Sequence, residues 1–189
     1  NGLNSLRHRL SPHYRCHEQI ISARTVFATQ YYPNQGDSRE VALPDKYVKF
    51  ASRGWCRHID SPYRRWYLCP HFYRVNIFNP RTGRSAHDVL VNEVGPWNVD
   101  DNYWDHFPPN NFSAPRRIHL FIPNANRTLA PGEPQAEAAY RRGHNRGRDQ
   151  FGRRVRNPAG IDLSPRVAAE LGFRRNENGW VVVYYYRLP

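Results

Sequence analysis

Short runs in which apolar and polar residues alternate dominate the chain and predict a mainly β fold. The clearest is a hairpin over residues 72–94, whose two halves flank a turn at 79–84 that contains proline and glycine. Because side chains alternate along a strand, Glu93 shares the face of Val89 and Val91 at the end of the returning strand. The pattern therefore places a carboxylate where this strand leaves the sheet.

Three further segments favour strands. Residues 25–32 are rich in β-branched and aromatic residues and predict a first strand. Residues 41–50 predict a second short β segment that Pro44 interrupts. Residues 179–186 are apolar or aromatic on both faces, which predicts a central strand of the sheet.

Two segments predict helices. Ser164, Pro165 and Gly172 supply a helix cap, a first-turn proline and a stop, so residues 164–172 predict a short helix. Residues 135–142 predict another helix, which begins after a proline.

The length of 189 residues suits one domain with long additions. We expect an N-terminal arm over residues 1–24 and a single domain over 25–189. Residues from about 98 to 157 are polar and rich in proline, which indicates an inserted loop region. Part of this insertion should be ordered, because long structureless loops are rare in compact domains.

The chain is strongly basic. Its net charge is +12, with 26 arginines and two lysines, and the densest basic run is 141–148. Arginine forms bidentate hydrogen bonds with carboxylates and phosphates. An anionic polymer such as nucleic acid, teichoic acid or peptidoglycan is therefore an expected partner. Internal ion pairing is the alternative. No recognised nucleic-acid-binding motif favours that class specifically.

Several features predict a secreted protein. No apolar stretch is long enough to span a membrane, and the chain begins without an initiator methionine. Methionine is absent throughout, which removes an oxidisable side chain and suits an extracellular environment.

The chain contains three cysteines, Cys16, Cys56 and Cys69. In an oxidising compartment a disulfide between Cys56 and Cys69 is favoured, because the intervening loop is short. Cys16 is then free or joins another molecule, and with the N-terminal arm it offers a route to a homo-oligomer. Histidines lie near the cysteines, but the spacing is not that of a zinc site, so we expect no metal and no cofactor.

Two segments concentrate candidate chemistry. Residues 92–97 and 159–165 each place a carboxylate near a glycine at the end of an apolar run. We expect Asp162 to act as the acid, since partial burial before a helix raises the pKa of a carboxyl group. Glu93 is the second catalytic candidate. The alternatives are that Asp162 caps the helix and that Glu93 pairs with an arginine.

The segment after residue 96 mixes acids with flat rings. Aromatic rings stack on sugars while carboxylates and amides bind hydroxyl groups, so this composition predicts a glycan-binding platform. The alternative is that Trp97 and Trp104 plug the mouth of a closed sheet and the aspartates bind a calcium ion or arginines. The predicted substrate-binding residues are Trp97, Asp100, Asp101, Tyr103, Trp104 and Asp105.

The order of these motifs resembles rare lipoprotein A and its relatives, which include expansins. The resemblance lies in the turn at 79–85, the strand end at 91–96, and the run 160–164 followed by a short helix and a last strand. It implies a six-stranded double-psi β-barrel whose groove binds a glycan strand and carries one or two acids. Glu93 stands where the family pattern has an aspartate, and Asp162 stands at the aspartate of its Ile-Asp-Leu-Ser motif.

These expectations lead to one principal hypothesis and several rivals. The principal hypothesis is an extracellular barrel that binds or remodels cell-wall polysaccharide or peptidoglycan. The first rival is a lytic transglycosylase or endoglycosidase that uses Asp162 as acid. The others are a self-assembling structural protein and a nucleic-acid-binding protein whose affinity falls steeply with salt.

Overall fold

The computed structural model describes residues 20–59, 72–104, 129 and 132–186. These described residues contain six strands, three α-helices and two short 3₁₀ helices, at 56–58 and 144–147. In chain order the strands and α-helices are β1 (Ile20–Gln30), β2 (Glu40–Leu43), α1 (Lys46–Ser52), β3 (Arg74–Asn79), β4 (Arg84–Val94), α2 (Gln135–Arg142), β5 (Ala159–Leu163), α3 (Pro165–Glu170) and β6 (Gly179–Tyr186).

The six strands form one closed barrel in the order β1-β5-β2-β4-β3-β6. The pairs β1/β5 and β2/β4 are parallel, and the other pairs are antiparallel. This confirms the predicted mainly β, six-stranded barrel with short helices. Closure leaves no exposed sheet edge, so the backbone groups of all six strands have neighbours to pair with.

The barrel has a two-fold repeat in its topology. The first half runs β1, β2, α1, β3, and the second half runs β4, β5, α3, β6. Exchanging β1 with β4, β2 with β5 and β3 with β6 leaves every strand pairing unchanged. The segment between β4 and β5, which includes α2, has no counterpart in the first half and is the predicted insertion.

The last strand is the centre of the core, as its sequence predicts. Val181, Val183 and Tyr185 of β6 are completely buried, and the strand pairs with β1 on one side and β3 on the other. Buried side chains from the other strands and from α1 and α3 complete one continuous hydrophobic cluster. The strand is therefore packed on one face and paired along both edges.

The β segment predicted over residues 41–50 is wrong in its second half. The strand ends before Pro44, and the helix α1 follows. Asp45 caps this helix, because its carboxylate accepts a hydrogen bond of 2.9 Å from the backbone N–H of Tyr47. The cap and the buried Val48 stabilise a helix where the β-prone composition alone predicted a strand.

The two predicted helices are confirmed. Ser164 caps α3 by accepting a hydrogen bond of 3.4 Å from Val167 N–H, and Pro165 is the first helical residue. The helix α2 begins after Pro134 and ends at Gly143, whose φ of 71° lies in the left-handed region that favours glycine.

The first strand is longer than predicted. It begins at Ile20 rather than at residue 25, so the end of the predicted arm belongs to the barrel and pairs with β6. Cys16 and Cys69 lie outside the described residues, and the Cys56–Cys69 disulfide stays a prediction. Among the described helices, none is long and apolar enough to cross a bilayer.

Gly160 gives a test of how tightly the barrel is packed. A Cβ at this position would lie 2.7 Å from Pro134 Cγ and 3.2 Å from Val26 Cβ. Because overpacking forces neighbours to shift, Gly160→Ala should lower the free energy of unfolding by about 1–3 kcal/mol in urea titrations. Pro134→Ala removes the nearest atom, so the double variant should recover part of the loss. Unchanged stability of the single variant would contradict a close-packed wall.

Candidate functional site

Asp162 lies within β5, between two neighbouring strands. Its backbone pairs with Thr29 of β1 on one side and with Ala42 of β2 on the other. Ile161 and Leu163 are buried, so alternation directs the Asp162 carboxyl group to the opposite face of the strand. The Thr29 hydroxyl donates a hydrogen bond to Asp162 Oδ1. Barrel closure therefore fixes both the backbone and the side chain of this acid.

The Asp162 carboxyl group lines a pocket of about 410 Å³, which we call the Asp162 pocket. Its lining is polar, apart from one indole ring and one proline. Among these described lining residues, Asp162 alone carries an ionisable side chain. The lining consists of Thr29, Gln30, Pro96, Trp97, Asn157, Asp162, Asn176 and Asn178.

The environment of Asp162 favours its protonated form. Burial raises the pKa of the Asp162 carboxyl group above its usual value, because a carboxylate loses hydration energy when it leaves water. The hydrogen bond from Thr29 lowers the pKa, but this effect is smaller. Within the described part of the chain, Asp162 forms no ion pair. The carboxyl group can therefore act as a proton donor at higher pH than an exposed aspartate.

Trp97 provides the flat surface of the pocket and is held on several sides. Its indole N–H donates a hydrogen bond of 3.0 Å to Asn157 Oδ1, and Arg153 donates one of 2.9 Å to its backbone carbonyl. Trp97 is half-buried, packs against Ala136 and Val155, and has a left-handed φ of 63°. The ring therefore lines the pocket in a fixed position, and its role as a substrate-binding residue stays a prediction.

Amide side chains supply most of the pocket's hydrogen-bonding groups. Gln30 uses its amide N–H groups to bind the carbonyls of Arg174 and Glu177, which leaves its amide oxygen for a ligand. Asn176 and Asn178 are exposed, and within the described chain their side chains make no hydrogen bond. Amides both donate and accept, so they suit sugar hydroxyl groups.

Glu93 lies outside the Asp162 pocket and is already engaged. Its Oε1 atom forms an ion pair with Lys49, and Oε2 lies 3.9 Å from Arg53. The backbone N–H of Val94 also donates a hydrogen bond of 3.0 Å to Oε1. This agrees with the alternative of cation pairing, although a lysine is the closer partner. The carboxylate is thus not available as a second catalytic acid or base in this arrangement.

The two predicted acids nevertheless lie at the same end of the barrel. Both are register partners of Ala42, from strands on either side of β2, so their backbones are about 10 Å apart. Burial, and then Glu40, Glu93 and Asp162 in that order, raise the pKa of the Tyr31 hydroxyl. Tyr31 therefore lies within electrostatic range of three carboxyl groups and donates a hydrogen bond to Glu40.

The predicted glycan platform is wrong for Tyr103 and Trp104. Both side chains are completely buried, so neither can stack on a ligand. Trp104 stacks on Tyr185 with ring centroids 5.2 Å apart, and the Tyr103 hydroxyl donates a hydrogen bond of 2.8 Å to the carbonyl of Gly160. The alternative that such rings close the barrel is the correct interpretation for Trp104, whereas Trp97 remains at the pocket.

The aspartates of the same segment have structural roles. Asp101 is buried and accepts a hydrogen bond of 2.7 Å from the backbone N–H of Gln135, at the start of α2. Asp100 lies 3.5 Å from the Lys46 ammonium group. Neither lines the Asp162 pocket, and Asp105 lies outside the described residues. No cluster of His, Cys, Asp and Glu suited to a metal ion occurs among the described residues.

The sequence did not identify several residues of the pocket. Thr29 belongs to the first strand, where it alternates with apolar residues. This alternation indicates that its side chain faces away from the core. Asn157, Asn176 and Asn178 lie in short polar loops before β5 and β6. Loop residues of this kind follow no periodic pattern, so only the closed barrel shows that they meet Asp162.

Residues 21–184 match the model of a family described as "Domain of unknown function (DUF8814)", which spans all six strands of the barrel. No curated protein and no solved structure matches the chain. Function is therefore inferred from the geometry of the site.

The raised pKa of Asp162 predicts a pH-dependent effect on stability. The folded chain holds the proton more tightly than the unfolded chain, whose carboxyl pKa is near 3.8, so ionisation destabilises the fold as pH rises through the folded value. Asp162→Asn removes that charge, and its stability relative to the wild type should increase from pH 3 to pH 7 in urea titrations. Thr29→Val, which removes the hydrogen bond to the carboxylate, should be most destabilising at pH 7. A pH-independent difference for Asp162→Asn would contradict this account.

Proposed function

The chain belongs to this family of unknown function, and we propose that it binds a polysaccharide, with one sugar unit or more in the Asp162 pocket. One observation carries the proposal: a half-buried carboxyl group with a raised pKa shares a pocket with an indole ring and four amide side chains. Carbohydrate sites combine a flat apolar ring with polar groups that converge on hydroxyls.

The recognition chemistry follows from the lining. The half-buried Trp97 ring offers a surface for the apolar face of a sugar, and its hydrogen bond to Asn157 holds it there without help from a ligand. Such preorganisation reduces the entropy lost on binding. Asn176 and Asn178 border the exposed side of the pocket, where they can bind hydroxyl groups of neighbouring sugar units.

The raised pKa of the Asp162 carboxyl group supports cleavage as the second part of this proposal. Asp162 gives its proton to the glycosidic oxygen while the bond from that oxygen to C1 breaks. Glu93 is paired with Lys49, and the described lining of the Asp162 pocket holds no second carboxylate, so a hydroxyl group of the sugar itself attacks C1. That hydroxyl returns its proton to the Asp162 carboxylate, which restores the acid and leaves an anhydro-sugar end, as in a lytic transglycosylase.

The biological ligand in this proposal is cell-wall polysaccharide or peptidoglycan, encountered outside the cell. The absence of methionine from all 189 residues supports an extracellular setting, because it removes an oxidisable side chain.

Three variants separate binding from cleavage. Sedimentation with purified peptidoglycan and with β-glucan measures binding, and mass spectrometry of the soluble fraction measures anhydro-sugar fragments. Trp97→Ala should weaken binding by about tenfold, because stacking is lost. Asp162→Asn should retain binding and reduce fragment release by about 10²-fold or more, because the general acid is lost.

Glu93→Gln is the matched control, since it alters a carboxylate that lies outside the pocket. It should leave binding and fragment release within about twofold, provided that circular dichroism shows the fold intact. Failure of the wild type to sediment with either polymer would contradict the proposed function. Fragments that Asp162→Asn releases at the wild-type rate would contradict the role of Asp162 while leaving binding in place.

A further inference from the structure

The insertion carries a cluster of positive charge on the segment before β5. Residues 141–156 hold seven arginines and one acid, Asp149. Four of these arginines are engaged: Arg141 with Glu137, Arg142 with Glu133, Arg153 with Asp149, and Arg148 with the carbonyl of Gly152. Arg146, Arg154 and Arg156 remain, and within the described chain none of them forms an ion pair or a side-chain hydrogen bond.

These three arginines line the same pocket, of about 480 Å³, which we call the arginine pocket. No carboxylate is among its described lining residues, which are Ala139, Tyr140, Gly143, Arg146, Gly147, Arg154, Val155 and Arg156. Three guanidinium groups without a counter-charge repel one another, so an anion entering the pocket relieves that repulsion and gains charge-assisted hydrogen bonds. Tyr140 is 54% exposed and adds a flat surface at this site.

The backbone around Arg146 and Arg154 has a defined conformation. Asn145, Arg146 and Gly147 have φ values of 47°, 56° and 73°, and left-handed backbone costs roughly 1–2 kcal/mol for each non-glycine residue. Hydrogen bonds from the Asn145 amide to the carbonyls of Arg148 and Asp149 stabilise this turn. Arg154 is fixed by an isolated bridge to Arg148. The backbone that carries Arg146 and Arg154 is therefore set by the fold, while their side chains are exposed at the pocket.

The two pockets share a wall. Trp97, which lines the Asp162 pocket, packs in one cluster with Ala139 and Val155, which line the arginine pocket. Arg156 lines one pocket, and the next residue, Asn157, lines the other. A polymer that fills one pocket therefore passes close to the other.

We infer that the arginine pocket binds an anionic group, carboxylate or phosphate, carried by the same polysaccharide that occupies the Asp162 pocket. This inference rests on the proposed function and names its substrate class, an acidic glycan. A nucleic acid fits less well, because its phosphates need a continuous track of cations. Here three arginines are confined to one pocket, and the neighbouring lining carries no cation.

A binding experiment with matched polymers tests this inference. Polygalacturonate and its methyl ester share a backbone and differ in charge, and a poly(glycerol phosphate) polymer supplies the phosphate arm. The triple variant Arg146→Gln, Arg154→Gln, Arg156→Gln should lose about tenfold or more in affinity for at least one charged polymer, because charge-assisted hydrogen bonds are removed. Its affinity for the methyl ester should stay within about twofold of the wild type.

The control variant removes the same charge elsewhere. Arg57→Gln, Arg84→Gln, Arg166→Gln alters three exposed arginines that line neither pocket, and it should keep most of the affinity for the charged polymers. Equal losses in both triple variants would overturn the inference, since general charge attraction would then explain the binding. The polymer that shows the specific loss identifies the anionic group as carboxylate or phosphate.

Two other results distinguish the inference from the proposed function. In the first, all polymers bind with an affinity that Trp97→Ala lowers and the arginine-pocket triple variant leaves unchanged. In that case the inference fails and the proposed function stands. If a single-stranded DNA oligonucleotide binds more tightly than any glycan, through the arginine pocket and independently of Trp97, the inference fails in favour of nucleic acid. Absence of binding to every glycan would overturn both.

Discussion

The pairing of β5 with both β1 and β2 is the constraint on which the site depends. It closes the barrel, and it holds Asp162 between Thr29 and Ala42 so that its carboxyl group leaves the core on the side of the pocket. A short strand held along both edges has little freedom to shift, because a slip of one residue would turn Ile161 and Leu163 outward. The same strand pairing therefore stabilises the fold and positions Asp162.

The insertion is joined to the barrel by aromatic packing and by an isolated bridge between Asp100 and Asp45. Tyr103 and Trp104 enter the core and meet Tyr185, and the Tyr103 hydroxyl binds the carbonyl of Gly160 beside the site. Asp101 then anchors the start of α2 through Gln135. These contacts place the segment that carries Trp97 and the arginines against β5, so the core also shapes the pockets.

The sequence predicted those elements whose cause is local. Strand alternation and the serine cap at 164 are properties of neighbouring residues, and they predicted the mainly β class and the helix α3, whereas the barrel was implied by the family resemblance. The ion pair of Glu93 with Lys49 joins residues 44 positions apart, and the contact between Tyr103 and Tyr185 joins residues 82 apart. A segment rich in acidic and aromatic residues can belong to a buried core or to a sugar-binding site. The composition of residues 97–105 therefore could not show which of these side chains are buried.

The separation of charge between the two pockets bears most directly on how Asp162 works. In a chain with a net charge of +12, a carboxylate would ordinarily gain an arginine partner, which would lower its pKa and remove its value as a proton donor. Trp97, Ala139 and Val155 pack together where the two pockets meet, and Glu93 pairs with the cations Lys49 and Arg53. In the proposed function, the basic surface attracts an acidic polymer while burial keeps the pKa of the adjacent Asp162 carboxyl group raised.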